Sequence, residues 1–220
     1  MRLPLTVRLP VLFAQKGKGM PSLDQSRLRH VKQDDSDSCI PASLSMALYY
    51  LDPIAGACFP QRRLVDLREG GPPCFEVYHE RLERACQQDP RLKHVAISAE
   101  RAAAVPRDHA ERQRQIESAI TDDSPVLLSL PTALRGWCIL PVPRPEINAW
   151  ELIWYPLGGF HIRMCVACGD AGVRMLDPAL DETQARVFVR WQTIEAAVTH
   201  PRGDGDVVGG GDILIVRNKR

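Results

Sequence analysis

The sequence predicts an α+β fold, on two observations of order and one of composition. Helical patterns gather in the first half, over residues 41–51, 61–69, 75–88 and 110–120, and strand patterns crowd the C-terminal part. FHIRMCVACG and GVRMLDP are split by the turn residues Asp170-Ala171-Gly172, which makes them an antiparallel hairpin. The chain has 220 residues, of which 45% are hydrophobic and 25% charged, enough apolar material for a sizeable core in a single domain.

Taken in order, Leu3, Leu5, Val7, Leu9, Val11 and Phe13 alternate with Pro4, Thr6, Arg8 and Pro10. Period two predicts an extended N-terminal arm over residues 1–15, and its prolines restrict it to an edge. KGKGMPS reads as a loop. Pro41 suits the first turn of a helix, where its missing N–H costs nothing, and ASLSMALYYL carries that helix to Leu51 with Leu44, Ala47, Leu48 and Leu51 on one face. DPIAGACFP should break it. QRRLVDLRE and FEVYHERLERACQQ are helical, HVAISAE a strand, AERQRQIESAI a helix and PVLLSLP a buried strand. The segment 52–124 is thus a long, largely helical insertion. Prolines at 141, 143, 145 and 156 predict that 132–158 is irregular. After the hairpin come ARVFVRW, a short helix QTIEAAVTH, a glycine-rich loop GDGDVVGGGD and a last strand ILIVRN.

Charge excludes several classes of partner. Lys+Arg total 28 against Asp+Glu 27, a net charge of +1, so there is no nucleic-acid footprint and no polybasic membrane patch. No apolar run approaches the roughly 20 residues that span a bilayer. Arg8 and two prolines interrupt MRLPLTVRLPVLFAQ, and no small-x-small site follows, so it does not read as a signal peptide. The glycine-rich loop lacks the Lys-Ser/Thr of a phosphate cradle. Seven cysteines, an odd and irregularly spaced set, argue against a disulfide framework and for a reducing, cytoplasmic compartment. Cys165 and Cys168 form a CxxC, but residues three apart on a strand should point to opposite faces. They are therefore expected to be two core thiols and not a zinc pair.

Cys39 is different. It follows the acidic run QDDSDS and immediately precedes Ile40-Pro41, so it sits where a helix N-terminus lowers a thiol pKa. A thiol nucleophile also needs an imidazole, and that imidazole needs a group to set its tautomer. Among six histidines, His161 opens an apolar strand straight after Gly158-Gly159, and Asp177 ends the next strand of the same hairpin. His30, His79, His94, His109 and His200 lie in charged helical or loop contexts without such a partner. Gln33, six residues before Cys39, can turn its side-chain NH2 and the Cys39 backbone N–H toward a developing oxyanion.

QDDSDSCIPASLSMALYYL, PVLLSL and GGFHIRMCVACGDAGVRMLDPAL together resemble the papain-like cysteine peptidases. The likeness is to the C39-like branch, which includes enzymes that remove double-glycine leaders from bacteriocin precursors, and it covers residues 30–55 and, loosely, 110–218. The resemblance implies a papain-like fold in which the nucleophile begins a helix packed on a C-terminal antiparallel sheet. It implies Cys39 as nucleophile, His161 as base and acid, Asp177 as the orienting residue and Gln33 as oxyanion donor. The family commonly has Asp-Cys-Gly where this chain has Ser38-Cys39-Ile40.

The expected activity is hydrolysis of a peptide or isopeptide bond in a peptide or protein substrate, with no metal or organic cofactor. Deamidation or acyl transfer on protein side chains would use the same machinery, and a catalytically silent papain-like binding module is the non-enzymatic alternative. Trp137, Trp150, Trp154 and Gly159 are candidates for gripping an extended peptide, since the 132–158 loop precedes the base and should overhang the cleft. The N-terminal arm is a candidate contact for a protein partner. If Asp177 acts only through His161, the isosteric change Asp177→Asn should leave thermal stability little altered.

Overall fold

A computed structural model describes residues 20–35, 38–67, 75–100, 109–131, 138–144, 149–155, 160–199 and 213–218. The N-terminal arm and the glycine-rich loop lie outside the described residues, as do Trp137 and Gly159. The helices come first: α1 (Cys39–Leu51), α2 (Pro53–Cys58), α3 (Gln61–Leu67), α4 (Phe75–Gln88) and α5 (His109–Thr121), with strand β1 (Val95–Glu100) between the last two. The strands follow: β2 (Val126–Pro131), β3 (Cys138–Arg144), β4 (Ala149–Tyr155), β5 (Phe160–Gly169), β6 (Gly172–Leu176), β7 (Arg186–Arg190) and β8 (Ile213–Asn218), with α6 (Trp191–Thr199) before β8. They form one eight-stranded sheet in the order β1-β8-β2-β5-β6-β7-β4-β3. Every pairing is antiparallel except β4 with β7. The α+β class expected from the sequence is the class observed.

Helix α1 organises the interior. All its side chains except Tyr49 are buried, so it is apolar around its whole circumference and not along one stripe. It lies on β5, β2 and β8 on one side and against α2 and α3 on the other. Its two buried serines must find partners or remain unpaired. Ser43 Oγ donates to the Ile162 carbonyl of β5 at 3.0 Å, while Ser45 Oγ has no hydrogen-bond partner. The helix stops at Asp52, but the chain does not stay broken. Asp52 caps α2 by accepting from the Ile54 amide at 2.8 Å, and Pro53 occupies the first turn. DPIAGACFP is therefore a restart as well as a break.

Two further expectations are corrected. Residues 138–144 and 149–155 of the segment 132–158 are not irregular, because β3 and β4 pair over Cys138↔Tyr155 to Arg144↔Ala149 and β4 joins the sheet beside β7. Pro141 and Pro143 are tolerated because β3 is an edge strand among the described residues, and residues two apart turn their backbone nitrogens the same way. In the sheet this hairpin stands beyond β6 and β7 from β5, while residues 132–137, 145–148 and 156–158 lie outside the described residues.

The other correction concerns the β5–β6 hairpin. Near the turn, Gly169 faces Gly172 and Cys168 faces Val173, but beyond it Cys165 faces Met175 and Met164 faces Leu176. One extra residue, Val166, has been inserted into β5 as a β-bulge, and side-chain parity flips across it. Cys165 and Cys168 therefore share a face instead of opposing each other. Both are free, buried thiols. Burial drives the Cys165 thiol far above its usual range, and burial followed by the Glu117 carboxylate pushes Cys168 up to about 12, so both are inert.

The segment 20–35 fastens the bulge. The Leu23 amide donates to the Val166 carbonyl at 2.8 Å, and the Cys168 amide donates to Pro21 at 3.1 Å. At the other end of the hairpin Gly172 lies hard against β7, where a Cβ would run into the Val189 carbonyl oxygen and come within 2.8 Å of the Arg190 Cα. Gly172→Ala is expected to force β6 and β7 apart and to cost about 1–3 kcal/mol. Thermal melting checks this, at roughly 2–4 °C per kcal/mol for a chain of this size.

Candidate active site

Helix α1 begins at Cys39 itself, with Ser38 as its N-cap. Ser38 makes no side-chain cap bond; its hydroxyl donates instead to Asp35 Oδ1 at 2.6 Å, closing the acidic loop against the helix start. What fixes the depth of Cys39 is the end of a ladder. The β5–β6 pairing stops at Met164↔Leu176, and Pro178 has no N–H with which to continue it. The backbone groups of Ile162 therefore turn to α1: the carbonyl takes the Ser43 hydroxyl, and the amide is directed at the Cys39 sulfur. Cys39 is thus seated on the peptide that links His161 to Ile162.

His161 and Asp177 form a buried pair, Nε2 to Oδ1 at 2.7 Å. An ionised carboxylate only accepts, so Nε2 carries the hydrogen and Nδ1 is the nitrogen with a lone pair in the neutral ring. This pairing depends on the bulge. The register near the turn, continued without Val166, would set Asp177 opposite Met164, on the other face from His161. With the bulge, Asp177 continues opposite Arg163 and shares a face with both Arg163 and His161.

Arg163 is the residue that the sequence reading missed. Its Nε donates to Asp177 Oδ2 at 2.6 Å, and its side chain is only 5% exposed. The signal was present: an arginine inside FHIRMCVACG is a charge in a buried strand, and such a charge requires a counter-ion. The Asp177 carboxylate also accepts from the Ala179 amide at 2.9 Å, so it caps its own turn as well as holding His161.

Gln33 reaches the same corner through its backbone. Its amide donates to the Pro178 carbonyl at 2.8 Å, and His30 Nε2 lies 3.1 Å from the Asp177 carbonyl oxygen. His30 is therefore part of the surroundings of Asp177, which its sequence context did not suggest. The Gln33 Nε2 donates to the Asp35 carbonyl at 2.8 Å, which uses one of its two hydrogens, while Oε1 is buried without a partner. His94 also finds a carboxylate, Asp52 at 2.8 Å, in a part-exposed pair at the α1–α2 break. Trp150 and Trp154 stand on β4 opposite Pro143 and Ile139.

Electrostatically the site is dry. Burial pushes the Cys39 thiol above its usual range, although the amides of Ile162, Ile40 and Cys39 and the Arg163 guanidinium pull the other way. The helix N-terminus alone does not win against desolvation. Burial, then Arg163, hold His161 below its ordinary value of 6.5 despite Asp177. Asp177 behaves oppositely: burial would raise it, but Arg163, His161 and the Ala179 amide hold it far below the usual carboxylate range. Burial thus acts against the charged forms of thiol and imidazole, while the paired charges favour the ionised carboxylate.

A crystal structure of a candidate C39-like peptidase from Bacillus anthracis is similar to this chain, with a TM-score of 0.50 and 17% identity over 90% of this chain and 99% of that one. No protein-family model and no curated protein matches. At that identity the likeness is one of fold: a helical N-terminal part followed by an antiparallel sheet.

The second ion pair on Asp177 overturns the expectation that Asp177→Asn is silent for stability. The amide would leave the Arg163 guanidinium buried without a counter-charge. The expected loss is about 3–5 kcal/mol, read from urea denaturation.

Proposed function

We propose that the chain is a C39-like cysteine peptidase that hydrolyses a peptide or isopeptide bond through a thioester on Cys39. The observation that carries this reading is the buried His161–Asp177 pair, whose remaining ring nitrogen is Nδ1, beside a cysteine seated on the His161–Ile162 peptide at a helix start. The fold likeness to a candidate C39-like peptidase supports it.

In this mechanism His161 Nδ1 takes the Cys39 proton as sulfur attacks the substrate carbonyl carbon. The negative charge that develops on the carbonyl oxygen is met by the Cys39 amide and the second Gln33 Nε2 hydrogen. Collapse breaks the C–N bond, and His161 returns its proton to the leaving amine. His161 then deprotonates a water that attacks the thioester, and the thiolate leaves and is reprotonated. Asp177 keeps the proton of His161 on Nε2 throughout. Trp137, Trp150, Trp154 and Gly159 are proposed contacts for the peptide.

A chloroacetamide probe tests the assignment. Of the seven cysteines, Cys39 should be labelled selectively, and His161→Ala should abolish that labelling. Cys39→Ala, used as a trap, should co-purify with the substrate. Turnover that survives in Cys39→Ala would refute the mechanism, and a trapped protein in which the wild-type chain converts a glutamine to glutamate would identify a deamidase instead. Gln33→Ala should lower kcat by about 10²- to 10³-fold with KM much less affected, because the donor acts on the oxyanion. A change confined to KM would make Gln33 a substrate contact.

A further inference from the structure

An oxyanion donor is useful only when it is held still before the charge develops, so what holds the chain around Gln33 matters. Its side chain is tied to its own loop, where Nε2 donates to the Asp35 carbonyl at 2.8 Å. That bond orients the amide within the loop but does not fix the loop against the sheet. Upstream, Arg27 grips the Tyr50 carbonyl near the far end of α1, through Nε at 3.1 Å and Nη2 at 2.7 Å. Leu28 and Val31 pack on the core, but apolar contact is non-directional and sets no register.

Two hydrogen bonds join this segment to the turn that follows β6. The Gln33 amide donates to the Pro178 carbonyl at 2.8 Å, and His30 Nε2 lies 3.1 Å from the Asp177 carbonyl oxygen. A carbonyl only accepts, so Nε2 is the donor. One bond alone is a pivot about which the segment can turn, whereas two bonds to consecutive carbonyls make a fixed edge. Lys32 and Asp181 span the same two segments at 2.5 Å, but both side chains are exposed and such a pair contributes little. Asp177, by contrast, does not depend on His30. Its amide donates to the Ala185 carbonyl at 2.8 Å, and its carboxylate is held by Arg163 and the Ala179 amide. The turn is the fixed part, and the Gln33 segment is the part that needs fixing.

We propose that His30 is a positioning residue of the Cys39 site: by donating its Nε2–H to the Asp177 carbonyl it locks the segment that carries Gln33 to the turn that carries Asp177, and so holds the Gln33 amide in place for the oxyanion. This rests on the reading of Cys39 as nucleophile and Gln33 as oxyanion donor. His30 touches no reacting atom. Its effect runs through Gln33 alone, because the Asp177 carboxylate has its own partners.

The test sets two probes of Cys39 against each other, both read by mass spectrometry of the Cys39 peptide. With p-nitrophenyl acetate, Sγ attacks the acetyl carbon, charge develops on the carbonyl oxygen, and p-nitrophenolate leaves as the C–O bond breaks. A chloroacetamide instead loses chloride from a saturated carbon and develops no oxyanion. His30→Ala should slow acylation about 10-fold and leave alkylation little changed, short of the roughly 10²- to 10³-fold loss of acylation expected of Gln33→Ala. His30→Gln, whose side-chain N–H can make the same donation, should restore acylation. In a Gln33→Ala background His30→Ala should cost nothing further, because two residues that act through one donor are not additive. Equal slowing of both probes, or a His30 effect that persists without the Gln33 side chain, would make His30 merely structural and overturn the proposal. So would an imidazole ¹⁵N spectrum of the wild-type chain in which His30 Nε2 carries no hydrogen, a reading that needs no variant to fold. Failure of the peptidase reading looks different: it appears in the wild-type chain as a Cys39 that is never acylated, and the proposal falls with it.

Discussion

One inserted residue, Val166, sets the register on which the site depends. A two-stranded hairpin propagates its turn register residue by residue, and side chains alternate faces, so a single insertion reverses the facing of everything beyond it. On the turn side of Val166 the pairs are Gly169↔Gly172 and Cys168↔Val173; on the far side they are Cys165↔Met175 and Met164↔Leu176. Without the insertion Asp177 would lie on the Met164 face, among core hydrophobes. With it, Asp177 joins His161 and Arg163. The bulge is not left to itself, since the carbonyl that the insertion turns out of the ladder is taken up by the Leu23 amide.

Burying Asp177 imposes a further condition. A carboxylate at 3% exposure must be matched by charge and by hydrogen bonds, and here two side chains and one amide supply them. Arg163 and His161 are two apart on one strand, so both fall on the same face and reach the two oxygens of one carboxylate. The dryness that makes this match necessary comes from α1. It has no charged side chain and is buried nearly all round, and it closes over the end of β5 where the β6 ladder stops. The same packing that seats Cys39 on the Ile162 amide also desolvates it, so the helix start and the desolvation act on the thiol in opposite directions.

A fold of this kind does not by itself dictate an activity, because one scaffold can carry different chemistries. What matters here is the particular set gathered at the β5–β6 end: a thiol at a helix start, an imidazole with its tautomer determined, a carboxylate shared with a guanidinium, and a glutamine whose backbone amide is tied to Pro178.

The sequence by itself determined whatever depends on local periodicity and local stops. FEVYHERLERACQQ is α4 from Phe75 to Gln88, α1 ends at Leu51, and β5 and β6 flank the turn expected of them. The proximity of His161 and Asp177 was legible as strand neighbours, although the step that puts them on one face was not. Tertiary structure alone decided the rest. Prolines in β3 look like breakers until the strand is known to be an edge, and the restart at Pro53 depends on Asp52 accepting the Ile54 amide. The shared face of Cys165 and Cys168 and the facing of Asp177 both follow from Val166, whose insertion is visible only in the pairing of one strand with another. Strand parity is a property of two strands in register, and no single stretch of sequence contains it.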